Sequence, residues 1–164
     1  MSTRAQKFWG GSTSLGVSLA LALFASPLAA QKTILTLSGA TIAFAAPTAA
    51  DYVAGFINSA SGVTFTVNAQ TGTERTTTIS IKATSASLGG SKVIGDLQWR
   101  RSDLAMWNSI TPTDAQVEQQ IVVRGVSNDP WSNTIFFRML LDWTKDAPGT
   151  YSANYQITLS QTVP

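Results

Sequence analysis

Apolar and polar residues alternate with a period of two along much of this chain. In an extended strand, successive side chains point to opposite faces of a sheet, so the pattern sends one set of side chains to a core and the other to water. The alternation is clearest in segments 63–68, 78–83 and 151–160, and it recurs over shorter runs at 97–99 and 121–123. From Ile135 to Trp143 every odd position is apolar while the even set is mixed, which predicts a central strand.

Turn-forming residues separate these runs, at Gly89–Gly90, Asn128–Pro130 and Asp146–Gly149. Seven or eight strands joined by such turns predict an all-β chain, a two-sheet antiparallel sandwich, with a barrel or jelly roll as the alternative. A short helix over Thr113 to Gln120 is possible from its capping residues, but the same stretch could lead into a strand at Ile121.

Residues 1–30 have the layout of a cleavable signal peptide. Arg4 and Lys7 form a basic start, the apolar stretch from Leu15 to Phe24 is too short to span a bilayer, and Pro27 precedes small residues up to Ala30. A retained anchor is the alternative. We therefore expect a secreted protein, whether periplasmic, extracellular or at the cell surface, with no membrane insertion after cleavage.

The charge of the precursor does not describe the mature chain. The sequence has 11 basic and 9 acidic residues, and Arg4 and Lys7 are among the basic ones, so nine of each sign follow residue 30. A near-neutral chain with scattered basic residues gives no reason to expect a nucleic-acid partner.

The chain has no cysteine and no histidine. This excludes disulfides, Ser-His-Asp and Cys-His catalysis, and the usual zinc ligands, so we expect no cofactor, no bound metal and no enzymatic activity. Asp129, Asp142 and Asp146 could hold calcium or act as a glycosidase pair, but they lack a calcium-loop spacing and are interpreted as turn carboxylates. A Ser91–Lys92 dyad remains open.

Four tryptophans follow residue 30, and an exposed row of such rings would offer a stacking platform for sugars. Trp99 and Trp143 have the apolar parity of their strands and are predicted to be core residues. Trp107 and Trp131 lie near loops and are the predicted ligand contacts.

Residues 31–45 form an N-terminal strand or donor segment before a domain at 46–164. Their alternation changes phase at Gly39, which predicts a bulge or a crossing between sheets. This segment could pair with the sheet edge of a neighbouring molecule or act as the first strand of its own chain. The predicted interface residues are Ile34, Leu35, Leu37, Ile42 and Phe44.

The segment Asp146 to Ala153 resembles the tyrosine corner of immunoglobulin-like domains, and the Trp99 strand resembles their core-tryptophan strand. With its apolar N-terminal segment, the chain is similar to bacterial fimbrial subunits and to spore-coat-U-like proteins, although it lacks their cysteine pair. The resemblance implies an immunoglobulin-like sandwich completed by a strand from the next subunit. The expected function is a structural subunit of a fimbria-like filament, and thus a homo-oligomer. The alternative is a secreted module that binds a glycan or a surface protein.

Overall fold

The computed structural model describes residues 33–89, 92–126, 128–146 and 151–164. The predicted signal peptide, Ser91 and residues 147–149 of the turn predicted at Asp146–Gly149 lie outside these residues. The described part contains eleven strands, one α-helix and one 3-10 turn. The strands are β1 (Ile34–Ser38), β2 (Phe56–Asn58), β3 (Val63–Asn68), β4 (Arg75–Ala83), β5 (Ser87–Gly89), β6 (Lys92–Val93), β7 (Leu97–Arg101), β8 (Asn108–Ser109), β9 (Ala115–Val122), β10 (Trp131–Leu140) and β11 (Tyr155–Thr162). The helix α1 is Ala49–Ala54 and the 3-10 turn is Ile94–Asp96.

The strands form two main sheets and a small ribbon, and all of their pairings are antiparallel. The larger sheet has the order β1-β3-β10-β7-β8, with β2 also paired to β10. The smaller sheet has the order β11-β4-β9, and β5 pairs with β6. The prediction of an antiparallel all-β chain is confirmed.

Both main sheets contribute to one buried cluster. Phe65 and Phe137 come from the larger sheet, Ile79 and Ile81 come from the smaller one, and each is at most 1% exposed. The rings of Phe137 and Tyr155 lie 5.3 Å apart and join β10 to β11. Burying each such side chain contributes about 1.5–3 kcal/mol, so a chain without disulfides is held together by this interior.

The helix considered for Thr113 to Gln120 is wrong, because β9 occupies that stretch. The prediction of which side chains of this strand point inward is also partly wrong, since Ile121 is 53% exposed whereas Val122 is buried. The pairing between β4 and β9 shifts register between Ile79 and Ser80, and such a shift moves later side chains to the other face.

The boundaries of the last two long strands differ from those predicted. β10 ends at Leu140, and Asp142 then begins a turn in which it accepts a hydrogen bond from the Thr144 backbone at 2.8 Å. β11 begins only at Tyr155, after residues 151–154 that are not a strand. The predicted burial still holds, because the odd-numbered side chains from 151 to 159 pack against the core.

Helix α1 was not predicted, although its capping signal is local. Thr48 and Asp51 form a capping box, and Gly55 ends the helix with a φ of +77°. Six residues are too few for a recognisable hydrophobic period, so only the caps identify it.

The N-terminal segment pairs within its own chain in this structure. Leu35 lies opposite Val67 and Leu37 opposite Phe65, which places β1 at the edge of the larger sheet. Gly39 then has a φ of +68°, and the carbonyl of Ala40 accepts a hydrogen bond from the hydroxyl of Tyr155 in the other sheet. The chain therefore passes from one sheet toward the other after Gly39. Ile42 and Phe44 pack against the core on the opposite parity, so the predicted phase change is confirmed.

Candidate functional site

The four tryptophans do not divide into core residues and surface residues as predicted. Trp99 is 4% exposed, as expected, but Trp143 is 60% exposed and is not a core residue, because β10 stops before it. Trp131 is 5% exposed, begins β10 and packs edge-to-face on Phe65 with ring centres 6.1 Å apart, so it is not available as a ligand contact. Trp107 is half-buried and is the predicted contact that remains at the surface.

The outer face of the larger sheet places two arginines beside Trp107. In the second half of β10 the odd-numbered residues Ile135, Phe137 and Met139 are buried, so Phe136 and Arg138 project from the opposite face. The register puts Arg100 of β7 opposite Phe136, and β2 brings Phe56 opposite Leu140 on the other side of β10. Three strands distant in sequence thus assemble one surface.

Cations and rings alternate on this surface. The guanidinium carbon of Arg138 lies 4.6 Å from the centre of the Trp107 ring and 5.1 Å from that of Phe56. The guanidinium carbon of Arg100 lies 5.1 Å from the Trp107 ring and 5.4 Å from the Phe136 ring. We call these five residues the Arg–aromatic surface. Each contact lies within the range where a cation is attracted to the face of a ring.

Each of the two arginine side chains is also held by a hydrogen bond. Arg138 donates through Nε to Oε1 of Gln98 at 2.7 Å, and Arg100 donates through Nη1 to the carbonyl of Leu104 at 2.7 Å. Neither arginine forms an ion pair with any of the nine acidic residues, all of which lie in the part of the chain that the structure describes. Both positive charges are therefore held in place without a carboxylate partner.

A cleft of about 330 Å³ opens over this surface. The Arg–aromatic surface lines it together with Asn58, Ser59 and Phe137. Its volume falls at the lower end of the range for small-molecule sites in proteins. The arrangement offers cationic donors, ring surfaces and an exposed amide at Asn58 to one ligand.

The acidic residues considered at the sequence level have structural partners. Asp129 accepts hydrogen bonds from the backbones of Ala69 at 2.7 Å and Gly125 at 2.9 Å. Hydrogen bonds from Thr144 and a contact with Lys145 lower the pKa of Asp142 to about 2. In the described part of the chain no cluster of three or more acidic side chains could hold a metal ion.

A second cleft, of about 380 Å³, lies beside the exposed Trp143. Trp143 stacks on Tyr52 of α1 with ring centres 4.3 Å apart. The predicted interface residues lie elsewhere, along β1 and the crossing segment, and Ile34 is the most exposed hydrophobic residue of β1 at 47%.

Sequence reasoning identified Trp107 but missed Phe56, Arg100, Phe136 and Arg138. The available signal was Phe136 on the solvent-facing parity of β10, next to Arg138 on the same parity. A single ring on the wet face of a strand is ordinary, and it becomes informative only when other rings lie beside it, because a contiguous apolar patch marks an interaction site.

None of the helices in the described residues is long and apolar enough to cross a bilayer. A scan against protein-family models finds no match, and searches of curated proteins and of solved structures find no significant match either.

Proposed function

We propose that this chain is a secreted β-sandwich module that binds a glycan on the Arg–aromatic surface. The observation that carries the proposal is the alternation of two guanidiniums with three aromatic rings under an open cleft. The signal-peptide pattern of residues 1–30 supports secretion, and the two-sheet arrangement supports an immunoglobulin-like sandwich.

Rigidity is the main physical support for a binding role. Arginine and aromatic side chains that are already held lose little conformational entropy when a ligand arrives. Trp107 precedes the short strand β8, whose residue Asn108 pairs with Trp99, so the ring is held close to the sheet. A surface arginine needs no such fixation for solubility alone.

Tryptophan fluorescence tests the proposal on the mature protein, residues 31–164. Titration with a panel of neutral and acidic oligosaccharides should change the emission of the wild type, and Trp107→Phe should weaken binding at least tenfold. Trp143→Phe is the matched control, because Trp143 lies at the other cleft, and it should bind as the wild type does. The proposal is wrong if no saccharide in the panel binds, or if Trp143→Phe alone abolishes binding.

A second candidate function, a structural subunit of a fimbria-like filament, is favoured by the position of β1. Among the strands that the structure describes, β1 is at an edge of the larger sheet and pairs on one side only, with β3. Leu35 and Leu37 pack against the core from this edge. The β1 strand of another molecule could therefore take the place of β1 beside β3. We propose that strand exchange through β1 would join such subunits.

Cysteine pairing tests exchange directly, because the chain has no cysteine of its own. Thr36 and Thr66 are directly opposite each other in the β1–β3 pairing. Mixing Thr36→Cys chains with Thr66→Cys chains under oxidation should give a covalent heterodimer if β1 crosses between molecules. A wild type that is monomeric on size-exclusion chromatography, with no heterodimer in the mixture, would exclude the subunit function.

A further inference from the structure

Most of the hydrogen-bonding capacity of Arg100 and Arg138 is uncommitted. A guanidinium carries five N–H donors, and each of these two side chains uses one within the described structure. The residues outside the description include no aspartate or glutamate, so no carboxylate side chain there can take up the remaining donors. Both arginines therefore have uncommitted donors and line the cleft.

The two positive charges share one aromatic neighbour. Both guanidinium carbons are within 5.1 Å of the centre of the Trp107 ring. Like charges on one surface repel, and ring faces offset only part of that repulsion. A bound anion would offset it further, whereas a neutral ligand would not.

A carboxylate fits this geometry. Arginine binds carboxylates through two parallel N–H···O bonds, and both guanidiniums line the cleft, so an acidic ligand bound there could contact each of them. The rings of Phe56 and Phe136 flank the arginines, and ring surfaces suit the C–H faces of a sugar. Asn58 is exposed at the cleft and supplies both a donor and an acceptor for hydroxyls.

We infer that the ligand of the Arg–aromatic surface is an acidic saccharide whose carboxylate binds Arg100 and Arg138. This inference rests on the proposed glycan-binding function and specifies its ligand class.

Isothermal titration of the mature protein with oligogalacturonate, dextran sulfate and neutral dextran of matched length tests the inference. Oligogalacturonate should bind, dextran sulfate should bind at least tenfold more weakly, and neutral dextran should not bind. The affinity for oligogalacturonate should fall as salt is raised, because the contacts are ionic.

Variants assign the binding to the two arginines. Arg100→Gln and Arg138→Gln should each weaken oligogalacturonate binding at least tenfold. Arg124→Gln removes the same charge from an exposed position elsewhere and should leave the affinity unchanged. Arg100→Lys and Arg138→Lys keep the charge and the ring contact but lose the forked geometry, so they should give intermediate affinities. These substitutions control for misfolding, which thermal unfolding of every variant also monitors.

Equal binding of dextran sulfate would overturn the carboxylate assignment, and an equal loss in Arg124→Gln would show that the attraction is nonspecific. Binding of a neutral saccharide that depends on Trp107 but not on the arginines would overturn this inference and leave the proposed function standing. No binding to any saccharide would overturn both.

Discussion

The ammonium nitrogen of Lys92 lies 2.6 Å from Oδ2 of Asp146, and the two side chains are only 2% and 4% exposed. The same carboxylate oxygen accepts a hydrogen bond from the backbone of Asp142 at 2.7 Å, and Asp96 lies 3.3 Å from the ammonium. The pair ties β6 to the turn after β10. Removal of Lys92 leaves the carboxylate of Asp146 buried without its counter-ion, which costs far more than the pair itself contributes. Removal of the Asp146 charge leaves Lys92 with Asp96, which is 30% exposed.

We therefore predict that Lys92→Met lowers the free energy of unfolding by about 3–5 kcal/mol, and that Asp146→Asn lowers it by less because Asp96 remains beside Lys92. The double variant Lys92→Met/Asp146→Leu should recover most of this loss, because neither charge is then unpaired. Denaturant unfolding measures the effect. Lys145→Met is the matched control at the exposed Lys145–Asp142 pair and should change stability by less than about 1 kcal/mol. A similar loss in control and test variants would contradict the account of the buried pair.

Gly62 is predicted to be intolerant of any side chain. A Cβ there would lie 2.5 Å from Cγ2 of Thr134 and 2.9 Å from the carbonyl oxygen of Ile135. Gly62→Ala should therefore lower the free energy of unfolding by about 1–3 kcal/mol, through displacement of β10. Gly72→Ala, with no atom within 4 Å of the added carbon, should be neutral or stabilise by up to about 1 kcal/mol. Equal melting temperatures of the two variants would show that β10 does not pass so close to Gly62.

Phe137 connects the two sheets and should be among the most costly residues to truncate. It is 1% exposed and contacts Tyr155 of the opposite sheet, so Phe137→Ala should lower the free energy of unfolding by about 3–5 kcal/mol. Val53→Ala, at a residue that is 82% exposed on α1, should change it by less than about 0.5 kcal/mol. Chemical denaturation compares them, and a Phe137→Ala variant as stable as Val53→Ala would exclude a shared core.

Acid pH should weaken the turn that contains Asp142. Its pKa is lowered to about 2 in the folded chain, from about 3.9 in an unfolded one, because its ionised carboxylate accepts hydrogen bonds from Thr144. The stabilisation is thus complete above the unfolded pKa and is lost as the pH falls from about 4 through 2. Carboxyl-carbon NMR titration should place the Asp142 midpoint near pH 2, and Thr144→Val should move it upward. An unchanged midpoint in Thr144→Val would contradict the stated cause.

The long strands could be predicted from sequence because alternation over five or more residues leaves one consistent face. The described residues contain eleven strands, more than the predicted seven or eight. Seven of them reach five residues, whereas β2, β5, β6 and β8 have two or three residues each and give no period. Trp143 was misplaced because parity gives a face but not the residue at which a strand ends. Trp131 was misplaced for the same reason at the start of β10.

The candidate site was only partly predictable. Trp107 was identified from its position near a loop, but its neighbours come from β2, β7 and β10, and their proximity depends on strand order. The alternation separates positions 136 and 138 from the buried odd set of their strand, but it does not show that they meet residue 100 of another strand. The register of Phe136 with Arg100 is a long-range pairing that local patterns do not encode.

Chemical-shift mapping by NMR shows directly whether an acidic saccharide binds at the Arg–aromatic surface. Isotope-labelled mature protein is titrated with oligogalacturonate, and the indole N–H of the tryptophans and the Nε–H of the arginines are followed. We expect the largest chemical-shift changes at Trp107, Arg100 and Arg138, and no change at Trp143 and Arg124. Shifts centred on Trp143 and Tyr52, or none at all, would contradict this expectation.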